Sequence, residues 1–306
     1  VFAEKLSAAQ AYNKIGKYEV RLVPAVADGI PLDRSAILRS PTTDDPETRV
    51  FGFVGVDYEL ITPDDVCSIY DEHVGKPIET IGALGHGETF FLSTYLPTLD
   101  VKGDEVENYL LISNPMTGLA SAEVRVTPVR VVCQNTLIAS ESMAVQKLRI
   151  VHNAQAKVRM AEWVRETYEF AETAANVLRD LFEVMASTRV KTAEAQKLFD
   201  YAYPFPNKPR MTATKDVMEL RTQWWDENVS LMKRKREGAK SLFEGMGTGM
   251  DHVAAKGTMW GAYNAVVECE DYRRTTREDS VASSAMFGER AKAKKRAFEY
   301  ATEEVG

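Results

Sequence analysis

The sequence predicts an α+β protein, with a twisted antiparallel sheet in the N-terminal half followed by a long helix and a helical C-terminal half. Three observations carry this. Short alternating apolar runs parted by glycine-containing turns fill residues 18–130, the period-two pattern of half-buried strands. Residues 154–187 repeat apolar side chains every three or four positions, the period of one helix face. Beyond them, helix-forming stretches are interrupted by the proline-rich Tyr203–Arg210 and the glycine-rich Gly245–Gly249.

Taken in order, Ala8–Gly16 reads as a short helix and Tyr18–Val26 as a strand, with Ala36–Arg39 pairing back after the Asp28-Gly29 turn. Ser40–Glu47, with two prolines and clustered acids, is a loop, and Arg49–Ile61 a further strand. Thr62-Pro63-Asp64-Asp65 opens a helix: a hydroxyl cap, proline at the first position and acids at the positive end of the dipole. That helix ends at Gly75. Ile78–Leu84 and Glu88–Leu96 form a hairpin around Gly85-His86-Gly87, and Asn108–Ser113 with Ala120–Thr127 form a second. One sheet is expected over residues 49–130.

Helices dominate from Gln134. Ala154–Ser187 is expected to be one helix of roughly 50 Å, with Val158, Val164, Ala171, Ala175, Leu178, Phe182 and Met185 along its seam. Such a seam must be covered by neighbouring helices or another subunit, so a homo-oligomer is expected. Further helices are expected at 192–202, 213–236, Trp260–Thr275 and Glu289–Glu303. The chain thus reads as a mainly β region, 1–150, and a helical region, 151–306.

No apolar run approaches the roughly 18 residues of a membrane span, so no membrane partner is expected. Cys67, Cys133 and Cys269 are odd in number and far apart, which argues against a disulfide framework or a zinc knuckle and for a reducing cytoplasm. Net charge is −7, unevenly spread. Residues 1–100 hold 16 acids against 8 bases, whereas residues 121–160 hold six bases against Glu123 and Glu141. A local basic surface of that kind can hold phosphates within an acidic protein.

The densest chemistry lies in Thr127–Leu137, TPVRVVCQNTL. Arg130, Gln134 and Asn135 fall at a strand-to-helix junction, where they can cap the backbone or bind a phosphate or base edge. Arg125, Arg149, His152, Lys157 and Arg159 extend the same surface, giving eight candidate nucleic-acid-binding residues. In Gly257–Arg273, GTMWGAYNAVVECEDYR, Trp260 and Tyr263 are either core residues or stacking surfaces for bases. Trp224-Trp225 carries the same two readings, and Lys233–Arg236 is either a helix end or a phosphate contact. Cys133 has no histidine at a known catalytic spacing. Asp44-Asp45 and Asp64-Asp65 read as loop and helix cap rather than metal ligands, and no phosphate-binding loop, dinucleotide fingerprint or His-Glu-x-x-His motif is present. No catalytic residue, metal or cofactor is therefore expected.

The Thr127–Leu137 and Gly257–Arg273 blocks resemble the phage/plasmid-like family known as domain of unknown function 932, in order and spacing. Arg49–Ile61, Glu79–Leu96 and Asn114–Gly118 also look like family features; the Trp-His-Gly-rich block with which the family often opens is absent. The resemblance implies a protein of a mobile element in a bacterial host cytoplasm. A β-rich sheet leading into a helix is also similar, at the level of fold, to phage single-strand annealing proteins. The resulting expectation is a nucleic-acid-binding protein that anneals single-stranded DNA in recombination as an oligomer. The alternative is a structural or interaction protein of a phage particle or plasmid machinery.

Overall fold

The structure, a computed structural model, describes residues 4–130, 135–136, 148–209, 214–272 and 289–305. The chain forms two compact units, each built from separate segments. The first takes Val1–Thr98, Glu107–Thr127 and Glu141–Ala175; the second takes Leu99–Val106, Pro128–Ser140 and Asn176–Gly306.

In the first unit, α1 (Ala8–Lys14) starts at a capping box of Ser7 and Gln10. The amides of Ala8 and Ala9 also donate to the Asp71 carboxylate at 2.7 and 3.0 Å, so α2 (Pro63–His73) finishes the cap of α1. The start of α2 is as expected: Thr62 and Asp65 exchange bonds, with Pro63 at the first position.

Strands β1 (Val20–Ala27), β2 (Ile30–Arg39) and β3 (Arg49–Val54) form an antiparallel sheet in that order. Asp28 and Gly29 turn the first hairpin with φ of 50° and 81°, the left-handed values a two-residue turn of this type requires. The second sheet runs β4 (Thr80–Leu84), β5 (Thr89–Val101), β6 (Asp104–Pro115), β7 (Ala122–Arg130), β8 (Asn135–Thr136), with β9 (Leu148–Ile150) on β7.

The expected single sheet over 49–130 is therefore two, because β3 pairs with β2, setting Ala36 against Phe53 and Leu38 against Val50. β3 also stops at Val54 rather than Ile61. The next residues strap onto the start of α3 (Ala156–Glu169): Tyr58 bridges to Asn153, and Glu59 N–H donates to the His152 carbonyl at 3.3 Å. Asn135–Thr136, expected at a helix start, is strand instead.

The expected 154–187 helix is two, α3 and α4 (Ala171–Ser187), parted at Phe170 with φ −90° and ψ 2°. The hydrogen-bond ladder passes through the break, from Phe170 N–H to Glu166 and from Ala174 N–H to Phe170. The buried stripe continues through it at Met160, Val164, Ala171, Ala175, Leu178, Phe182 and Met185. Val158, expected on the seam, is 57% exposed, and Met160 is buried in its place; the rest of the seam is covered within the chain.

The second unit is built on α5 (Thr192–Ala202), α6 (Lys215–Ser241), α7 (Met259–Tyr272) and α8 (Glu289–Val305). Phe182 sits 4.7 Å from the Trp260 ring, and Tyr263 and Phe298 close the aromatic cluster. A π-helical turn, Leu242–Met246, ends α6 at Gly245, whose φ of 121° excludes other residues. A Cβ at Gly261 would overlap the Ala255 carbonyl, so α7 begins only where glycine allows that approach.

Candidate nucleic-acid interface

The described side chains among the eight sequence candidates each have a local partner. Arg125 is half-buried in β7; burial pulls its guanidinium pKa down, and the charge of Glu123, two residues along the strand, opposes that shift. His152 is buried and stacked on Tyr58, with ring centroids 5.0 Å apart. Its Nδ1 lies 3.2 Å from the Glu59 carbonyl. A carbonyl only accepts, so Nδ1 carries the proton of a neutral ring, and burial holds the pKa below the usual histidine value. Lys157 pairs with Asp65 at 2.9 Å and Arg159 with Asn153 and the Val151 carbonyl.

The α3 N-terminus, where phosphate binding would be natural, is occupied by the chain itself. The Glu59 carboxylate accepts from Ala156 N–H at 2.6 Å. His152 and Lys157 therefore hold residues 58–65 at the β9–α3 junction, while Arg159 bonds only within that junction among the described residues. The backbones of Arg130 and Asn135 pair across β7–β8, and that of Arg149 pairs with Glu123 across β7–β9. Their side chains, and Gln134 entirely, lie outside the described residues.

The second motif is scaffold. Trp260, Tyr263 and Asn264 are buried, and Asn264 bonds the Trp260 carbonyl of its own helix. Glu268 accepts from the Thr248 amide and hydroxyl, Glu270 pairs with Lys235 at 2.9 Å, and Asp271 pairs with Lys294. The Lys233–Arg236 run is partly internal as well: besides Lys235, Arg236 bonds the Tyr203 carbonyl and lies 3.9 Å over the Phe205 ring. Cys67 is buried and its thiol is pushed up to about 12, so it is no nucleophile at neutral pH; Cys133 lies outside the described residues. Among the described residues no group of three His, Cys, Asp or Glu is placed to hold a metal.

An exposed face that combines an aromatic ring with two arginines lies elsewhere, on the outer side of β1–β2–β3. Residues opposite one another in an antiparallel sheet share a face. Arg21, Leu38 and Val50 are aligned, as are Val23, Ala36 and Phe53, and Arg34 continues the β2 row. Phe53 is 59% exposed and Val50 57%, and both arginines are exposed without an ion pair among the described residues. The inner face carries Ile37, Phe51 and Val54, all buried. There Gly52 is opposite Ile37, and a Cβ on it would overlap the Thr117 carbonyl. The signal in the sequence was the apolar character of Arg49–Val54 on both faces, RVFGFV, where a half-buried strand would alternate.

No helix among the described residues is long and apolar enough to cross a membrane. No curated protein and no solved structure matches the chain. A family model does: that of the domain of unknown function DUF932 matches residues 50–292, from β3 into α8, including both motif blocks. On that match the chain belongs to the family of domain of unknown function 932.

Proposed function

We propose that this chain binds single-stranded nucleic acid on the outer face of β1–β2–β3, serving strand annealing in a phage or plasmid within the host cytoplasm. The observation that carries the reading is Phe53, more than half exposed on an open sheet whose same face presents Arg21 and Arg34. Every base has a π-face, so an exposed ring stacks bases without regard to sequence, while guanidinium groups track phosphates. Annealing requires positioning of two strands rather than bond chemistry, so the reading assigns the chain no catalytic residue and no cofactor. It also requires more than one copy or more than one strand site.

A second reading, an interaction protein of a particle or plasmid machine, draws on the apolar residues around the same sheet. Val26, Ile30, Leu32 and Val56 are 59%, 65%, 46% and 73% exposed, a patch that a protein partner could cover. Fluorescence anisotropy of labelled single-stranded oligonucleotides at low salt separates the two. Saturable binding that weakens with salt is expected. Absence of binding to any single strand at low salt removes the first reading and leaves the second.

A further inference from the structure

We propose that α6 is the surface on which two copies of this chain assemble, paired antiparallel along Val217, Leu220, Trp224 and Leu231. This deepens the oligomeric part of the reading above, and its test contains no DNA, so the two fail separately.

The helix is 27 residues long, about 40 Å. One side packs on its own unit through the half-buried Trp225, Val229, Met232 and Arg236; Trp225 donates its indole N–H to the Pro206 carbonyl at 2.9 Å. Roughly 100° around the helix runs a second apolar row. Val217, Leu220, Trp224 and Leu231 are 40%, 68%, 57% and 38% exposed. Val217, Trp224 and Leu231 are seven residues apart, the repeat that keeps a seam against one partner helix.

Charge selects the occupant and its direction. A second α6 running the same way in register would set Arg221 on Arg221 and Glu227 on Glu227; one running the opposite way brings these unlike charges together. The helix dipoles favour the same arrangement. Centred on Trp224, the antiparallel pair places Val217 against Leu231 and Arg221 against Glu227. Within one helix Arg221 and Glu227 are six positions apart, too far round to pair with each other, and among the described residues Glu227 accepts from Gln223 Nε2 at 3.0 Å with no ion pair.

Sedimentation equilibrium on the full chain, from about 1 to 200 µM without DNA, tests this. A monomer–dimer equilibrium is expected, with Trp224→Glu raising the dissociation constant at least about tenfold. Arg221→Glu is expected to weaken the dimer and Arg221→Glu/Glu227→Arg to restore it, circular dichroism confirming that each variant is folded. A monomer throughout, a dimer indifferent to Trp224→Glu, or a double variant as weak as Arg221→Glu alone would each overturn the proposal.

Discussion

Trp260 donates its indole N–H to the carboxylate of Asp104 at 2.8 Å, with both residues wholly buried and 156 positions apart in the chain. The bond ties the first residue of β6, just past the Lys102-Gly103 turn, to the first turn of α7. A buried carboxylate oxygen deprived of its donor keeps its desolvation cost. Trp260→Phe retains a ring in the aromatic cluster but removes the N–H together with part of the buried indole, and it is expected to cost at least about 1–3 kcal/mol. Urea denaturation measures it; an unchanged midpoint would contradict this account.

Lys235 and Glu270 form a further buried link, with the Glu270 side chain 2% exposed and both its oxygens within 3.1 Å of Nζ. Lys235→Met leaves that carboxylate buried without its cation, and a loss of about 3–5 kcal/mol is expected. Lys235→Met/Glu270→Leu removes both charges and should recover much of the loss. A double variant less stable than the single one would contradict this account.

His152 gives the stability a pH dependence of definite sign. Its folded pKa lies below the unfolded value of about 6.5, so the unfolded chain binds more protons just below that pH. The contribution of His152 is therefore present above about 6.5 and lost as pH falls toward the folded value. His152→Phe keeps the stack on Tyr58 and removes the titration. Between pH 7.5 and 5 the wild type should lose more stability than the variant. Equal slopes in the two would contradict a neutral buried ring.

On the sheet face, Phe53→Ala should weaken single-strand binding by about 1–3 kcal/mol and leave stability within about 0.5 kcal/mol, since the ring is exposed. Arg21→Ala and Arg34→Ala should each lower the log–log salt slope by roughly 0.7 without altering base preference. Binding that survives all three changes and fails in Arg130→Ala/Arg149→Ala/Lys157→Ala would move the site to the β7–β9 edge.

Legibility in the sequence followed range. The Thr62–Asp65 cap, the Asp28-Gly29 and Gly85-His86-Gly87 turns and the non-helical Tyr203–Lys208 link were all legible, because each depends on residues a few positions apart. The Lys102-Gly103 turn was equally local, with φ of 54° and 83°, and its Lys-Gly pair was an available signal that the reading passed over. The break at Phe170 had no signal: no glycine or proline marks it, and the apolar period runs through unchanged.

The sequence by itself determined the class of the protein, the succession of a strand-rich half and a helical half, and its membership of the family. Those rest on periodicity, caps, turns and two long motifs, all properties of neighbouring residues. Only the tertiary structure decided that β3 joins β1 and β2, that Lys157 is spent on Asp65 across 92 positions, and that Glu59 fills the α3 N-terminus. It also decided that Phe53 and the α6 row face solvent while Trp260 does not. A strand pattern states that one face will be buried but not against what, and a charge carries no record of its partner. Which cation stays available to a ligand is settled only when distant segments close on one another and the nearest opposite charge takes its place.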